Sequence, residues 1–127
     1  MSKAVLCDAC VLIDFVNGRS EQITQLHADI IQLFINPVIE LELLQGARNK
    51  AELLRLEKIV GMFYNVEMSV EVVDVARQLI KLYSLSHSLR LADALIAATA
   101  LVYDLDLLTY NLKDFRFIPE LGLYCSE

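Results

Sequence analysis

The sequence predicts an α/β fold in which a central, mainly parallel sheet is flanked by helices on both faces. Two observations carry this prediction. Short apolar runs of strand length alternate with longer segments whose apolar residues recur at helical spacing. Strand–helix alternation of this kind is the mark of parallel pairing through crossover helices. With 127 residues and 56% hydrophobic content, the chain can bury a real core and reads as a single domain over 1–127.

The elements follow in order. Residues 4–7 (AVLC) form a short apolar run ending at Asp8 and suit a buried strand. Residues 10–16 (CVLIDFV) start a helix that Asn17-Gly18 terminates, and 21–28 make a second short helix. Residues 30–35 read as a strand with β-branched enrichment. Asn36 can cap a helix with Pro37 in its first turn, running to about Gln45 with Gly46 at its end. Residues 50–60 are amphipathic, with apolar positions at 53, 54, 56, 59 and 60. Residues 62–68 fit a short strand, and Ser69 caps a helix expected to end at Tyr83, before a polar connection over 84–88. The run 91–103 is a buried helix, 104–106 a turn, 107–109 a strand and 121–124 a last short strand.

Composition narrows the function classes. A net charge of −6 argues against a simple basic nucleic-acid binder, whose affinity rests on phosphate contacts. It leaves room for a nuclease, because acidic metal ligands inflate the negative count. No apolar run approaches the ~20 residues that span a bilayer, and the first ten residues do not resemble a signal peptide. A cytosolic protein with no membrane association is expected. Cys7 and Cys10 form a C-x-x-C, but Asp8 lies between them and no further ligands cluster nearby, with Cys125, His27 and His87 scattered singly. Two small reduced thiols are the simpler expectation.

Four acids stand out. Asp8, Glu42, Asp93 and Asp114 are embedded in, or directly flanked by, apolar sequence that reads as core. In the thirteen-residue run LADALIAATALVY, Asp93 is the only charge. A buried unpaired carboxylate costs several kcal/mol or gives up its charge, so such acids need a partner, and a divalent cation can serve several at once. In open α/β sheets ligands bind beyond the carboxyl ends of strands. Asp8 ends the first strand, Glu42 lies on the helix after the second, and 109–114 follows another. Asp93 is expected one turn past its helix N-terminus. The four are expected to converge in one acidic pocket holding Mg²⁺ or Mn²⁺. Two such ions ~4 Å apart could support metal-assisted phosphodiester hydrolysis. Each acid has a plainer role open to it. Asp8 could cap the following helix, Glu40 rather than Glu42 could face inward, and Asp114 could simply start a turn.

The segments VLCDACVLIDFVNG (5–18), IELELLQGAR (39–48), RLADALIAATAL (90–101) and LLTYNLKDF (107–115) resemble, in this order, the PIN domain, and most closely its small VapC-type toxin ribonucleases. The resemblance implies a three-layer PIN-like fold and an Mg²⁺- or Mn²⁺-dependent endoribonuclease site. Matching the motifs puts Asp8 first, Glu42 rather than Glu40 second and Asp93 third. The fourth position is shared between Asp114 and Asn111, with Thr109 as polar neighbour. Cys10 departs from the family's usual serine, threonine or asparagine, and a thiol is a poor hydrogen-bond donor. Arg48, Lys50, Arg90, Lys113 and Arg116 lie near the motif ends as candidate phosphate contacts. The implied partners are an RNA substrate, a small antitoxin protein and a second copy of the chain as a homodimer. The alternative is a PIN fold that has lost catalysis and serves by protein association. Other α/β phosphoryl enzymes fit poorly: Asp8-Ala9-Cys10 lacks a second aspartate at i+2, and no aspartate lies between positions 30 and 73.

Overall fold

The structure, a computed structural model, describes residues 4–124; Cys125 lies outside them. Four strands, β1 (Ala4–Cys7), β2 (Gln32–Ile35), β3 (Tyr64–Asn65) and β4 (Asp106–Leu108), form one sheet in the order β3-β2-β1-β4. All three pairings are parallel. Around it pack α1 (Ala9–Val16), α2 (Gln22–Ala28), α3 (Pro37–Gln45), α4 (Lys50–Val60), α5 (Val70–His87) and α6 (Leu91–Val102), with a 3-10 turn over Leu112–Asp114. Val5, Leu6 and Cys7 of β1 are all buried, although successive strand side chains point to opposite faces. Both faces are therefore covered, giving three layers. One hydrophobic cluster draws residues from all six helices, among them Leu12, Leu26, Ile39, Leu56, Leu79 and Ile96.

Local chemistry explains most boundaries. The side chains of Asn36, Asn49 and Ser69 each accept a backbone N–H from three residues on, capping α3, α4 and α5. After α1, Gly18 takes φ +69°, a left-handed conformation that suits glycine.

Four expectations need correction. α5 continues to His87 instead of ending at Tyr83. Its last turn is held because Tyr83 and His87 both pack on Phe117, with ring centroids 5.1 and 4.3 Å away, and left-handed Ser88 stops it. β2 starts at Gln32, because Ile30 and Ile31 still donate to His27 and Leu26 at the end of α2. β3 is only two residues long, since Met62 and Phe63 donate back to Ile59 and Val60 of α4. The strand expected over 121–124 contracts to a single parallel bridge between Leu123 and Leu107.

Candidate functional site

The register of the sheet builds the site. Cys7 pairs with Leu108 and Leu6 with Phe34, so the residues just past β1, β2 and β4 stand side by side at one carboxyl edge. These are Asp8, Asn36 and Thr109, and all three are buried.

Asp8 uses its two oxygens differently. One accepts the Ala9 N–H at 2.8 Å and caps α1; the other accepts the Thr109 hydroxyl at 2.8 Å. Helix capping and a place at the edge are thus compatible roles. Thr109 also accepts the Asn111 N–H at 3.0 Å, which shapes the loop leading to Asp114. The Cys10 sulfur sits among the same groups, 3.8 Å from Asp8 Oδ2 and 3.7 Å from Thr109 Oγ1, and accepts the Tyr110 N–H at 3.5 Å. Burial chiefly pushes its thiol above the ordinary value. Burial, then Asp8, pushes Cys7 up to about 12. Neither sulfur of the C-x-x-C is therefore activated as a thiolate.

The remaining acids arrive from three other elements. Asp93 occupies the first turn of α6, earlier than expected, and is half-buried. Burial pushes its carboxyl up to about 6, reinforced by Asp114 and then Asp8, with Arg90 pulling the other way. Glu42 on α3 is the most exposed of the four. Its carboxyl is nevertheless raised, first by the solvent it does lose and then by Asp8 and Asp93. Glu40 is turned elsewhere, accepting the Asn65 amide at 2.8 Å beside β3. Asp114, half-buried in the 3-10 turn, acts on Asp93 across space.

The four acids thus share one electrostatic neighbourhood. They do not close into a compact cage: among the described residues, no three His, Cys, Asp or Glu side chains stand close enough together to hold one ion. Nor is the burial uniform, since only Asp8 falls in the buried class. The ion pairs among the described residues, Arg19–Asp14, Arg48–Glu52 and Arg77–Asp74, leave all four acids out. A set of hard carboxylate oxygens held in one electrostatic neighbourhood suits a hydrated cation. Mg²⁺ keeps several waters and takes only one or two carboxylates directly.

The basic candidates divide. Lys113 shares the 3-10 turn with Asp114, and Arg90 immediately precedes α6, within electrostatic reach of Asp93. Arg48 is not among the charges acting on Asp93 or Glu42; it grips Glu52 through Nε at 3.1 Å and a terminal nitrogen at 2.8 Å.

One pair carries more weight than its sequence suggested. Asn36, fully buried, caps α3 and also donates through Nδ2 to Thr99 Oγ1 at 2.8 Å. It ties the helix bearing Glu42 to the helix bearing Asp93. The available signal was Thr99 itself, a lone hydroxyl in the alanine-rich stretch of α6, since a buried hydroxyl needs a partner.

Comparison with known proteins agrees with this architecture. Residues 5–120 match the sequence profile of the PIN domain. The chain is 33% identical over 125 residues to a Rickettsia bellii protein named ribonuclease VapC, covering 92% of each. It is 31% identical over 121 residues to ribonuclease VapC19 of Mycobacterium tuberculosis, covering 91% of this chain and 95% of that one. Its fold matches a chain of a toxin–antitoxin complex from Klebsiella pneumoniae with a TM-score of 0.77 and 31% identity, over 92% of this chain and 94% of that one.

Proposed function

The chain belongs to the PIN-domain family, and from that premise we propose that it is the ribonuclease toxin of a toxin–antitoxin pair, cutting RNA phosphodiester bonds with Mg²⁺ or Mn²⁺. The single observation that carries the metal dependence is that Asp93 and Glu42 are both raised, first by burial and then by neighbouring acids, and that no ion pair among the described residues includes them.

Asp8, Glu42, Asp93 and Asp114 would hold the cation, one or two of them directly and the others through its waters. When bound, it supplies an activated water and a counter-charge for the leaving oxygen. The protein's own part is positioning. Thr109 fixes one Asp8 oxygen while the Ala9 N–H fixes the other, so this carboxylate cannot swing when substrate enters. Asn36 and Thr99 hold the helices of Glu42 and Asp93 at a set separation. Cys10 and Asn111 support the loop that carries Asp114. Lys113, exposed on that turn, is suited to a substrate phosphate.

The partners in this reading are RNA, a small antitoxin and a second copy of the chain in a homodimer. Cytosolic placement fits it, and among the described residues no helix is long and apolar enough to cross a membrane. The purified chain is expected to cut single-stranded RNA when Mg²⁺ or Mn²⁺ is added and to stop with a chelator. Failure across varied RNAs with either ion would favour the non-catalytic binding module.

A further inference from the structure

In a chain of net charge −6, three arginines surround one cavity. It has a volume of about 290 Å³, opens where α1 meets α3 and α4, and contains none of the four acids. Its floor is apolar, made by Ile13, Val16, Leu43 and Leu56, of which Leu43 and Leu56 are buried. Arg19, Arg48 and Arg55 stand around it with a single carboxylate, Glu52.

All three guanidiniums are held at the surface, in exposed partnerships. Arg48 holds Glu52 at 2.8 Å with its side chain 85% exposed, and exposed pairs of this kind are weak because solvent screens them. Arg19 holds Asp14 loosely, at 3.4 Å. Arg55 donates to the backbone carbonyl of Val16 and belongs to none of the ion pairs among the described residues. A phosphate could exchange for these partners at little cost, and the guanidinium fork matches its oxygens. The cavity also adjoins the acids. Gly46 follows Glu42 by one turn of α3, about 6 Å along the helix, and Ile13 lies five residues beyond Asp8 on α1.

We propose that this cavity is a nucleotide subsite for single-stranded RNA, its apolar floor taking a base and Arg19, Arg48 and Arg55 taking the flanking phosphates. The inference rests on the ribonuclease reading. Its volume is just below the ~300–1,000 Å³ of sites for drug-sized ligands, which suits a single nucleoside. Cationic grooves that track the backbone beside surfaces for bases are the general means of holding single strands. Three guanidiniums against two carboxylates, Glu52 and Asp14, leave an excess of positive charge that favours a phosphate chain over an acidic peptide, whose charges are sparser.

The test uses the full-length chain carrying Asp8→Asn to silence cleavage and a fluorescein-labelled single-stranded RNA decamer as probe. Binding is read by anisotropy across a salt series, with backbone amide shifts mapping the site. Arg48→Ala with Arg55→Ala is expected to weaken binding about tenfold and to flatten the plot of log affinity against log salt by roughly 1.4, about 0.7 per lost phosphate contact. Ile13→Ala is expected to weaken binding about threefold with the slope unchanged, because it removes base contact and not charge. RNA should shift the amides of Ile13, Leu43 and Leu56. Unchanged affinity and slope in the double arginine variant would overturn the subsite. So would shifts of those amides by a co-purified antitoxin and not by RNA, which would give the cavity to a protein helix. The two readings fail separately. Normal cleavage by an otherwise wild-type double arginine variant with unaltered RNA binding removes the subsite alone. RNA bound in the cavity by a wild-type chain that never cleaves supports the subsite and removes the ribonuclease reading.

Discussion

The carboxyl edge of the sheet and the cavity beyond it handle charge in opposite ways. At the edge, Asp93 and Glu42 are held against other acids and pushed above their ordinary pKa, outside every ion pair among the described residues. On the flank, each arginine has an oxygen to hold, from Asp14, Glu52 or the Val16 carbonyl. Partnered surface charges cost a fold almost nothing, whereas like charges kept together and partly dry are a standing cost. A fold retains such a cost where a ligand relieves it. The contrast supports the proposed assignment of the acids to a cation and of the arginines to an anion.

The contrast breaks most visibly in activity. Asp8→Asn or Asp93→Asn is expected to lower RNA cleavage by about 100-fold or more, since each removes charge that a catalytic cation needs. Gel-based cleavage of a defined RNA with Mg²⁺ or Mn²⁺ measures this, and near-normal rates in both variants would detach the acids from catalysis.

Stability sharpens the comparison next. Asn36→Ala loses the α3 cap and the bond to Thr99 together, so thermal denaturation should show a loss of about 2–3 kcal/mol. Asp93→Asn should act in the opposite direction in the cation-free protein. Its folded carboxyl titrates at about 6 against an ordinary 3.8, so the folded chain holds this proton more tightly than the unfolded one. Stability is then fully present below about 3.8 and is lost as pH rises through about 6. Because the side chain is half-exposed, solvent screening leaves on the order of 1 kcal/mol for the variant to recover at neutral pH. A scan showing wild type and Asp93→Asn melting together at pH 7.5 without cation would contradict the strain attributed to this acid.

The smallest expected effect is at Cys10. A hydroxyl there should hold Thr109 and the Tyr110 N–H more firmly than sulfur does, raising cleavage about two- to fivefold in Cys10→Ser. Comparing initial rates of the two proteins at equal metal checks it, and a slower serine variant would mean that sulfur suits this site.

Much of this was legible in the sequence, and the gaps have physical causes. Caps, breakers and apolar spacing act over a few residues, so α3 could be placed from Asn36, Pro37 and Gly46, and α4 from its apolar positions at 53, 54, 56, 59 and 60. The end of α5 could not, because Phe117, which holds its last turn, comes thirty residues after His87. Asp93 was legible as an anomaly but not as a half-exposed one. An apolar run does not say which of its ends the fold leaves uncovered, and here Leu91 is 71% exposed. Spacing could not choose between Glu40 and Glu42, since apolar residues surround both; the family motif favoured Glu42, and only the packing of α3 shows Glu40 engaged with Asn65. Of the arginine cavity only Arg48 carried a sequence signal, because the walls come from separate helices that only the fold brings together.

In the proposed function a divalent cation relieves the acids at the sheet edge. The Asp93 carboxyl reports this directly when followed by NMR through a pH titration with and without saturating Mg²⁺. The expected midpoint is near 6 without the ion, with a clear fall toward the ordinary carboxylate range when it is present. The same midpoint in both titrations would contradict it.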